Sequence, residues 1–343
     1  MRIVECQGRS VKSRGARLPL PNMKHLLAAA AAAALWCCGA SFAQPYPVKP
    51  LRYIVPFPAG GSPDIVGRLL ADRLSRLWGQ QVVVDNRSGA GGTVGALIGA
   101  RAAPDGYTLF QCNIASNAIA ASLYAKLPYE PLRDFAPVSR IGTTASALVV
   151  HPSLPVASVA EFIALARANP GKLSYGSSAA GTSPHLSMEL FKTMAKIDVV
   201  HIAYKGAAPA LADLIGGQVP VSISNIPAVL SPVHTGRMRA LAVTGATRAS
   251  QLPSVPTMSE SGLTGYEVTS WYGVCAPAGT PAPLLGKLHA DLIGVLQAPD
   301  VRQRLNDLVV DVAPTSREDF AAFIQAETRR WAQVVKDAGL APQ

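Results

Sequence analysis

Two segments of this chain carry the residue types and spacing of an anion site. In Tyr53-Ile-Val-Pro-Phe-Pro-Ala-Gly-Gly-Ser-Pro-Asp64 an apolar, β-branched run breaks into Pro and Gly. A helical pattern then starts at Ser62, with Pro63 at the first helical position. A strand ending in a glycine turn at a helix N-terminus leaves backbone N–H groups without partners, and the helix dipole adds positive potential there. Far downstream, Tyr175-Gly-Ser-Ser-Ala-Ala-Gly-Thr-Ser-Pro-His185 has the same character. Two such turns on separate halves of the chain predict a clamp around a small carboxylate. A hydrogen bond to a charged group contributes roughly 1.5–3 kcal/mol. Three or four of them reach the roughly 8 kcal/mol of micromolar binding once ordering costs are met.

The first turn supplies Phe57, Pro58, Ala59, Gly60, Gly61 and Ser62 as candidates, with the N–H groups of Ala59 to Ser62 facing one carboxylate. Asp64 reads as a first-turn partner of the helix dipole. The second turn supplies Ser177, Ser178, Ala180, Gly181 and Thr182; the plainer reading there is an N-cap by Thr182 or Ser183. His185 falls in the first turn of that helix, as a cleft residue or an ordinary structural histidine. No Cys, His or acidic partner sits at ligand spacing from it, so no metal is expected. Asn113, Ser116 and Asn117 follow a strand and read as side-chain donors or as loop caps. Tyr204 could reach the cleft with its hydroxyl, while its neighbour Lys205 reads as a solvated charge.

Other chemistries find less support. Gly89-Ala-Gly-Gly-Thr-Val-Gly95 follows a strand and opens a helix, but its spacing is not G-x-G-x-x-G. A dinucleotide is therefore not expected, nor any other cofactor. There is no G-x-S-x-G elbow, and no His is placed by pattern beside a Ser, so a secreted hydrolase is a remote alternative. Basic runs with interleaved aromatics, the mark of nucleic-acid binding, are absent.

The elements that position the two turns follow from alternating patterns. Strands are predicted at 51–57, 81–85, 107–112, 147–151, 173–176, 199–203, 219–224, 239–243 and 268–276. Helices are predicted at 62–78, 91–103, 159–168, 182–195, 208–215, 281–297, 299–306 and 317–338. Residues 113–117 read as a polar loop, and 127–135 as an extended segment. The alternation implies parallel-rich sheets with helices on both faces. It also predicts an α/β fold of two lobes, residues 44–145 plus 267–343 and residues 146–266, joined by a hinge of crossing strands. The cleft would lie between the lobes, at the strand ends where glycine turns gather. No internal repeat is evident.

The N-terminus predicts export. Met23-Lys24-His25 is a short positive start, Leu26 to Trp36 is almost pure Leu and Ala, and Ser41-Phe42-Ala43 precedes a cleavage point at Gln44. Translation starts at Met1 or Met23. Removing 1–43 lowers the net charge from +10 to +5, with 25 basic and 20 acidic side chains remaining. Cys112 and Cys275 also remain, as a pair or as two buried thiols.

A series of motifs then runs in order through the whole mature chain. It includes Val55-Pro-Phe-Pro-Ala-Gly-Gly-Ser-Pro-Asp64, Val84-Asp-Asn-Arg-Ser-Gly-Ala-Gly-Gly92, Pro104-Asp-Gly-Tyr-Thr-Leu109 and Asp134-Phe-Ala-Pro-Val138. Tyr204-Lys-Gly206, Leu214-Ile-Gly-Gly-Gln-Val219, Leu252-Pro-Ser-Val-Pro-Thr257 and Ala276-Pro-Ala-Gly-Thr-Pro281 continue it. The series resembles the Bug family, the substrate-binding proteins of tripartite tricarboxylate transporters. The resemblance implies a two-lobed periplasmic binding fold, a small carboxylated ligand, no catalysis, and delivery by a monomer to membrane permease subunits. A sensing adaptor that docks on a signalling receptor is the alternative. Members of that family often carry Phe-Asp-Asn where this chain reads Ile223-Ser224-Asn225. Ser224 is the last candidate for the cleft. The missing Asp takes away a partner for a ligand ammonium, which points to a plain carboxylate rather than an amino acid.

Overall fold

The chain path follows from where β-branched runs meet Pro and Gly. In this computed structural model, which describes residues 46–337 and 339, β1 (Leu51–Val55) stops at Pro56. Helix α1 (Ser62–Trp78) starts with proline in its first turn and ends at Gly79, a left-handed C-cap with φ 61°. Its buried stripe, Val66, Leu70, Ala71 and Leu74, has helical spacing. The next elements are β2 (Val82–Asn86), α2 (Thr93–Ala100), β3 (Thr108–Asn113) and the short α3 (Ala120–Leu123). Then come β4 (Phe135–Val150), α4 (Val159–Ala168), β5 (Ser174–Ser177), α5 (Ser183–Ala195) and β6 (Val200–Ala203). Helix α6 (Ala207–Ile215), β7 (Val221–Asn225), α7 (Ile226–His234), β8 (Arg239–Val243) and β9 (Thr269–Pro277) follow. Helices α8 (Ala282–Gln297) and α9 (Pro299–Asp307), the two-residue β10 (Asp311–Val312) and α10 (Arg317–Asp337) close the described chain.

The strands join in the order β2-β1-β3-β9-β4-β7-β5-β6, with β8 and β10 pairing β4 off that path. Strand β4 belongs to two sheets. Its first part, to Ala145, pairs with β9, and its last part, from Ser146, pairs with β7. Residues from Lys49 onward make one compact unit.

The sheets are mixed: β1 pairs β2 and β3 in parallel, as β5 does β6 and β7, while the expected crossing strands, β9 and β4, run antiparallel to their neighbours. A strand that returns from one half to the other enters from the opposite end, so its ladder must reverse. The strand read at 147–151 is the end of a longer one, β4, sixteen residues long, while the extended segment read at 127–135 is turn and irregular chain as far as Phe135, where β4 begins. Pro137 and Gly142 interrupt a run that otherwise holds Val138, Ile141, Thr143 and Thr144; pairing on both edges carries the strand through them, with irregular register at Pro137–Ser139 and Arg140–Gly142. The polar loop read at 113–117 is instead the end of β3 followed by a π-helical turn, Ala115–Ile119.

Strand β9 is held from beneath by α10. Trp271 and Trp331 both donate their indole N–H to the buried Glu327 Oε2, at 3.1 and 3.2 Å. Gly273 lies under the Phe320 ring, where any Cβ would overlap it. Cys112 and Cys275, on the adjacent strands β3 and β9, have Cα atoms 5.9 Å apart and form a disulfide. The chain from Gln44 on should therefore show no maleimide-reactive thiol when denatured without reductant; full labelling of both cysteines would contradict the pairing. The export segment lies outside the described residues. Among the described residues, no helix is long and apolar enough to cross a membrane.

Candidate functional site

The first turn is locked by its own helix. The Gly60 N–H donates to Asp64 Oδ2 at 2.9 Å, and Gly60 sits at φ +82°. Asp64 is only 3% exposed and also accepts from Arg68 Nε and Asn86 Nδ2. Burial pushes its carboxyl up, but the bonds from Arg68, Gly60 and Asn86 outweigh that and hold it below the ordinary value. Asn86 Nδ2 donates to the Phe57 carbonyl as well, which pins the chain before the turn. Ile65 N–H is bonded back to the Gly61 carbonyl. The N-cap, Gly61, makes no side-chain cap. Pro63 has no N–H, so the first-turn donors of α1 are the N–H groups of Ser62 and Asp64.

The second turn is a local copy of the first. Ala180-Gly-Thr-Ser-Pro-His185 matches Ala59-Gly-Gly-Ser-Pro-Asp64 position by position. Gly181 has φ +75°, and its N–H is held by the side chain four residues on, His185 Nδ1, at 3.2 Å. Thr182 and Gly61 share one N-cap conformation, φ −83° and ψ 160° against φ −82° and ψ 164°. Leu186 N–H bonds to the Thr182 carbonyl as Ile65 does to that of Gly61. Thr182 Oγ1 turns away to the Ala179 carbonyl, 2.8 Å, so α5 also lacks a side-chain cap. Its first-turn donors are the N–H groups of Ser183 and His185. No repeat is evident along the chain as a whole, because the likeness covers six positions, four of them identical.

Both turns open on one cavity of about 50 Å³, walled by Gly61 and Pro63 on one side and Thr182, Ser183 and Pro184 on the other. Its wall has no charged side chain, so two uncapped helix N-termini set its potential. Ser270 and Tyr272 of β9 form another wall. They belong to a polar chain: Asn225 Nδ2 donates to the Tyr272 hydroxyl at 2.9 Å, Asn225 Oδ1 accepts from Ser146 and Ser270, and Ser270 meets Ser183. Ser62 Oγ is buried beside the Tyr272 hydroxyl without the geometry of a full hydrogen bond. A larger cavity of about 320 Å³ adjoins the first and shares Phe57, Pro58 and Ser178 with it.

Residues 66–340 match the sequence profile of the tripartite tricarboxylate transporter family receptor. The chain belongs to that family. Among solved structures, the receptor resembles R. palustris Rpa4515 with adipate: 40% identity, a TM-score of 0.85, covering 87% of this chain and 100% of that one. The periplasmic binding protein BugD matches at 34% identity and a TM-score of 0.84, covering 87% of this chain and 100% of its own. MatC from Rhodopseudomonas palustris with bound malate matches at 33% identity and a TM-score of 0.81, over 84% and 100%. The receptor therefore has the α/β periplasmic binding protein fold with mixed sheets, and its family is one of solute receptors, not enzymes.

The candidates named from sequence separate in the receptor. Phe57, Pro58, Gly61, Asn113 and Thr182 line the smaller cavity, and Tyr204 the larger. Ala59, Gly60, Ala180 and Gly181 are not on either wall but shape the turns behind them. Ser116 is buried in a knot below: it accepts from Asn113 Nδ2 and donates to Asn117 Oδ1, both at 2.8 Å. Asn113 itself spends its side chain there, since its Oδ1 takes the Ala115 and Ser116 N–H groups. Ser177 is fully buried against His201 Nε2 and the Ala179 carbonyl, and Ser224 faces Ser222 inside. The Tyr204 hydroxyl donates to Asp213 Oδ2 at 2.7 Å, which with burial pushes its pKa up to about 12. His185 is buried and holds the turn.

Sequence reasoning passed over Ser183, Pro184, Ser270 and Tyr272. Ser183 and Pro184 sat inside a motif already singled out. Ser270 and Tyr272 carried one signal: they lie on the strand expected to cross between lobes.

Proposed function

We propose that this receptor captures a small carboxylate between its two Ala-Gly-x-Ser-Pro turns. It does so in the periplasm and delivers the acid to the membrane subunits of a tripartite tricarboxylate transporter. The observation that carries this reading is the convergence of two uncapped helix N-termini on one cavity without a charged side chain. Backbone donors fixed by Asp64 and by His185 need no reorganisation when the anion arrives, which favours binding over solvation in water. Adipate and malate in the similar structures support a carboxylate.

Two lobes, residues 44–145 with 267–343 and residues 146–266, would close on the acid. Chain crossings at Ala145–Ser146 within β4 and near 267 would serve as the hinge. Each lobe brings one turn, so only the closed form lets both sets of donors act together. Across the proposed cleft the fit is tight: a Cβ on Gly206 would come within 2.8 Å of Pro58 Cγ.

Thermal melting against mono-, di- and tricarboxylates tests the reading. At a hundredfold excess over Kd the cognate acid should stabilise the fold by about 2.7 kcal/mol. If every acid on the panel leaves the melting temperature unmoved, the reading fails.

A further inference from the structure

We propose that Thr244 is a positioning residue for ligand capture: it ties the two chain crossings together at the pivot between the lobes, and Ser146 and Asn225 carry that tie to the wall of the site. This rests on the reading of two lobes that close on a carboxylate, and it names what sets the angle between them.

Strands β4 and β9 stay paired as far as Ala145 and Thr269. Beyond that pair they part, and Ser146 turns to Asn225 of β7. Thr244, the residue after β8, fills the fork. Its N–H donates to the Ser146 carbonyl, and its own carbonyl accepts the Val268 N–H, both at 2.8 Å. The hydroxyl repeats the pattern: Oγ1 accepts the Ser146 N–H at 2.8 Å and donates to the Val268 carbonyl at 2.6 Å. Thr244 thus bonds both backbone groups of each crossing residue. The direction of each bond is fixed, since a backbone N–H only donates and a carbonyl only accepts. Thr244, Ser146 and Val268 are all buried, so a broken bond there is not replaced by bulk water.

Two unlinked crossings would let the lobes twist about each connection separately. Joined by Thr244 they turn as one, and a few residues at element ends are enough to carry such a closure. The tie also reaches the anion turn. Ser146 Oγ bonds to Asn225 Oδ1 at 2.8 Å, and the same oxygen takes Ser270 Oγ at 3.0 Å. Ser270 Oγ lies 2.5 Å from the hydroxyl of Ser183, whose N–H is a first-turn donor of α5. Asn225 stands at the N-cap of α7 yet makes no cap bond with its side chain. An N-cap asparagine ordinarily stabilises its own helix; this one bonds the crossing strands instead. The angle between the lobes is therefore fixed through the same hydroxyls that back the second turn.

Calorimetric titration with malate and adipate, together with interlobe distances from double electron–electron resonance, tests the assignment. Spin labels on Arg76→Cys and Lys172→Cys report those distances, as both positions are exposed and one lies in each lobe. Thr244→Val keeps the side-chain shape and removes both hydroxyl bonds. It should broaden the distance distribution of the acid-free protein and weaken acid binding about tenfold, within the range that residues away from a site exert through such a network. Thr244→Ser keeps the hydroxyl and should restore both readouts, which a loss of stability alone would not move. Ser146→Ala leaves the Thr244 bonds to the backbone and should weaken the acid about threefold, by loss of the Asn225 link. Unchanged distances and affinity in Thr244→Val overturn the assignment, as does a loss that Thr244→Ser shares in full. Should Thr244→Val fail to fold, Ser146→Ala decides, and wild-type affinity there overturns it. If neither acid binds the wild type, the distance distributions still decide the pivot without a ligand.

Discussion

Gly181→Val is expected to weaken carboxylate capture by more than about a hundredfold while leaving secondary structure intact. Gly181 sits at φ +75°, where a β-branched residue costs roughly 1–2 kcal/mol. Space is the larger obstacle: a Cβ there would fall 2.6 Å from Leu123 Cδ2, and Leu123 is 1% exposed in the core. The turn must move, since a packed core yields little. Movement breaks the Gly181–His185 bond and re-aims the first-turn donors of α5. Losing two hydrogen bonds to a charged group removes about 3–6 kcal/mol. Gly60→Val is the informative control. Its φ of +82° brings the same backbone strain, but the nearest atom to a new Cβ is Ala208 Cβ at 4.0 Å. Its loss should be distinctly smaller, although the two glycines are equivalent in sequence. Calorimetric titration of both variants with the best acid of the panel, alongside far-UV circular dichroism, checks this. Wild-type affinity in Gly181→Val would place the acid elsewhere.

Stability should fall as pH drops from about 6.5 towards 4, and His201→Gln should flatten that fall. His185 and His201 stack at 4.2 Å, His201 stacks on Tyr175 at 4.8 Å, and Ser177 Oγ meets His201 Nε2 at 2.7 Å. His185 Nδ1 accepts the Gly181 N–H, so that nitrogen carries no proton. Glu189 and Lys192 are the charged groups beside the pair, bridged to each other at 3.0 Å, and Tyr175 donates its hydroxyl to Glu189. Burial lowers both imidazoles. For His201, burial and then repulsion by His185 bring it to about 4. The sign follows from proton counts. Above the unfolded value near 6.5 both states are neutral and nothing is gained or lost. Below it the unfolded chain takes up protons that the fold refuses, so the fold loses stability until His201 itself charges near 4. The ceiling for that residue is about 3 kcal/mol, reduced by its partial exposure. Protonation of His185, which burial disfavours, would release the Gly181 N–H and weaken carboxylate capture. Superimposable melting profiles of wild type and His201→Gln from pH 7 to pH 4 would remove the pair from the account.

Much of this was readable because local signals agree with the fold. The span of α1 is set by Pro63 at one end and Gly79 at the other, and α4 by Ser158, whose hydroxyl accepts the Glu161 N–H. Glycines before Ser-Pro marked both turns, since left-handed backbone at Gly60 and Gly181 is a short-range requirement. The errors lie where partners distant in sequence decide. Strand β4 is continuous because β9, β7 and β8 pair with it, and no window of its own residues contains that information. The Ser177 hydroxyl looks like a ligand donor until His201, brought from the neighbouring strand, is seen, whereas Ser116 and Ser224 are engaged by Asn117 and Ser222, one and two residues away.

Residue order therefore settles the helices and the shorter strands, the two glycine turns and the family, because each depends on contacts within a few residues or on motifs held in series. Packing settles the rest: that both turns meet on one cavity, that β9 lends it Ser270 and Tyr272, and that Cys112 reaches Cys275. Those relations join residues far apart in the chain. They exist only when long-range pairing brings backbone segments within a few ångströms of each other, and chain order does not encode that distance locally.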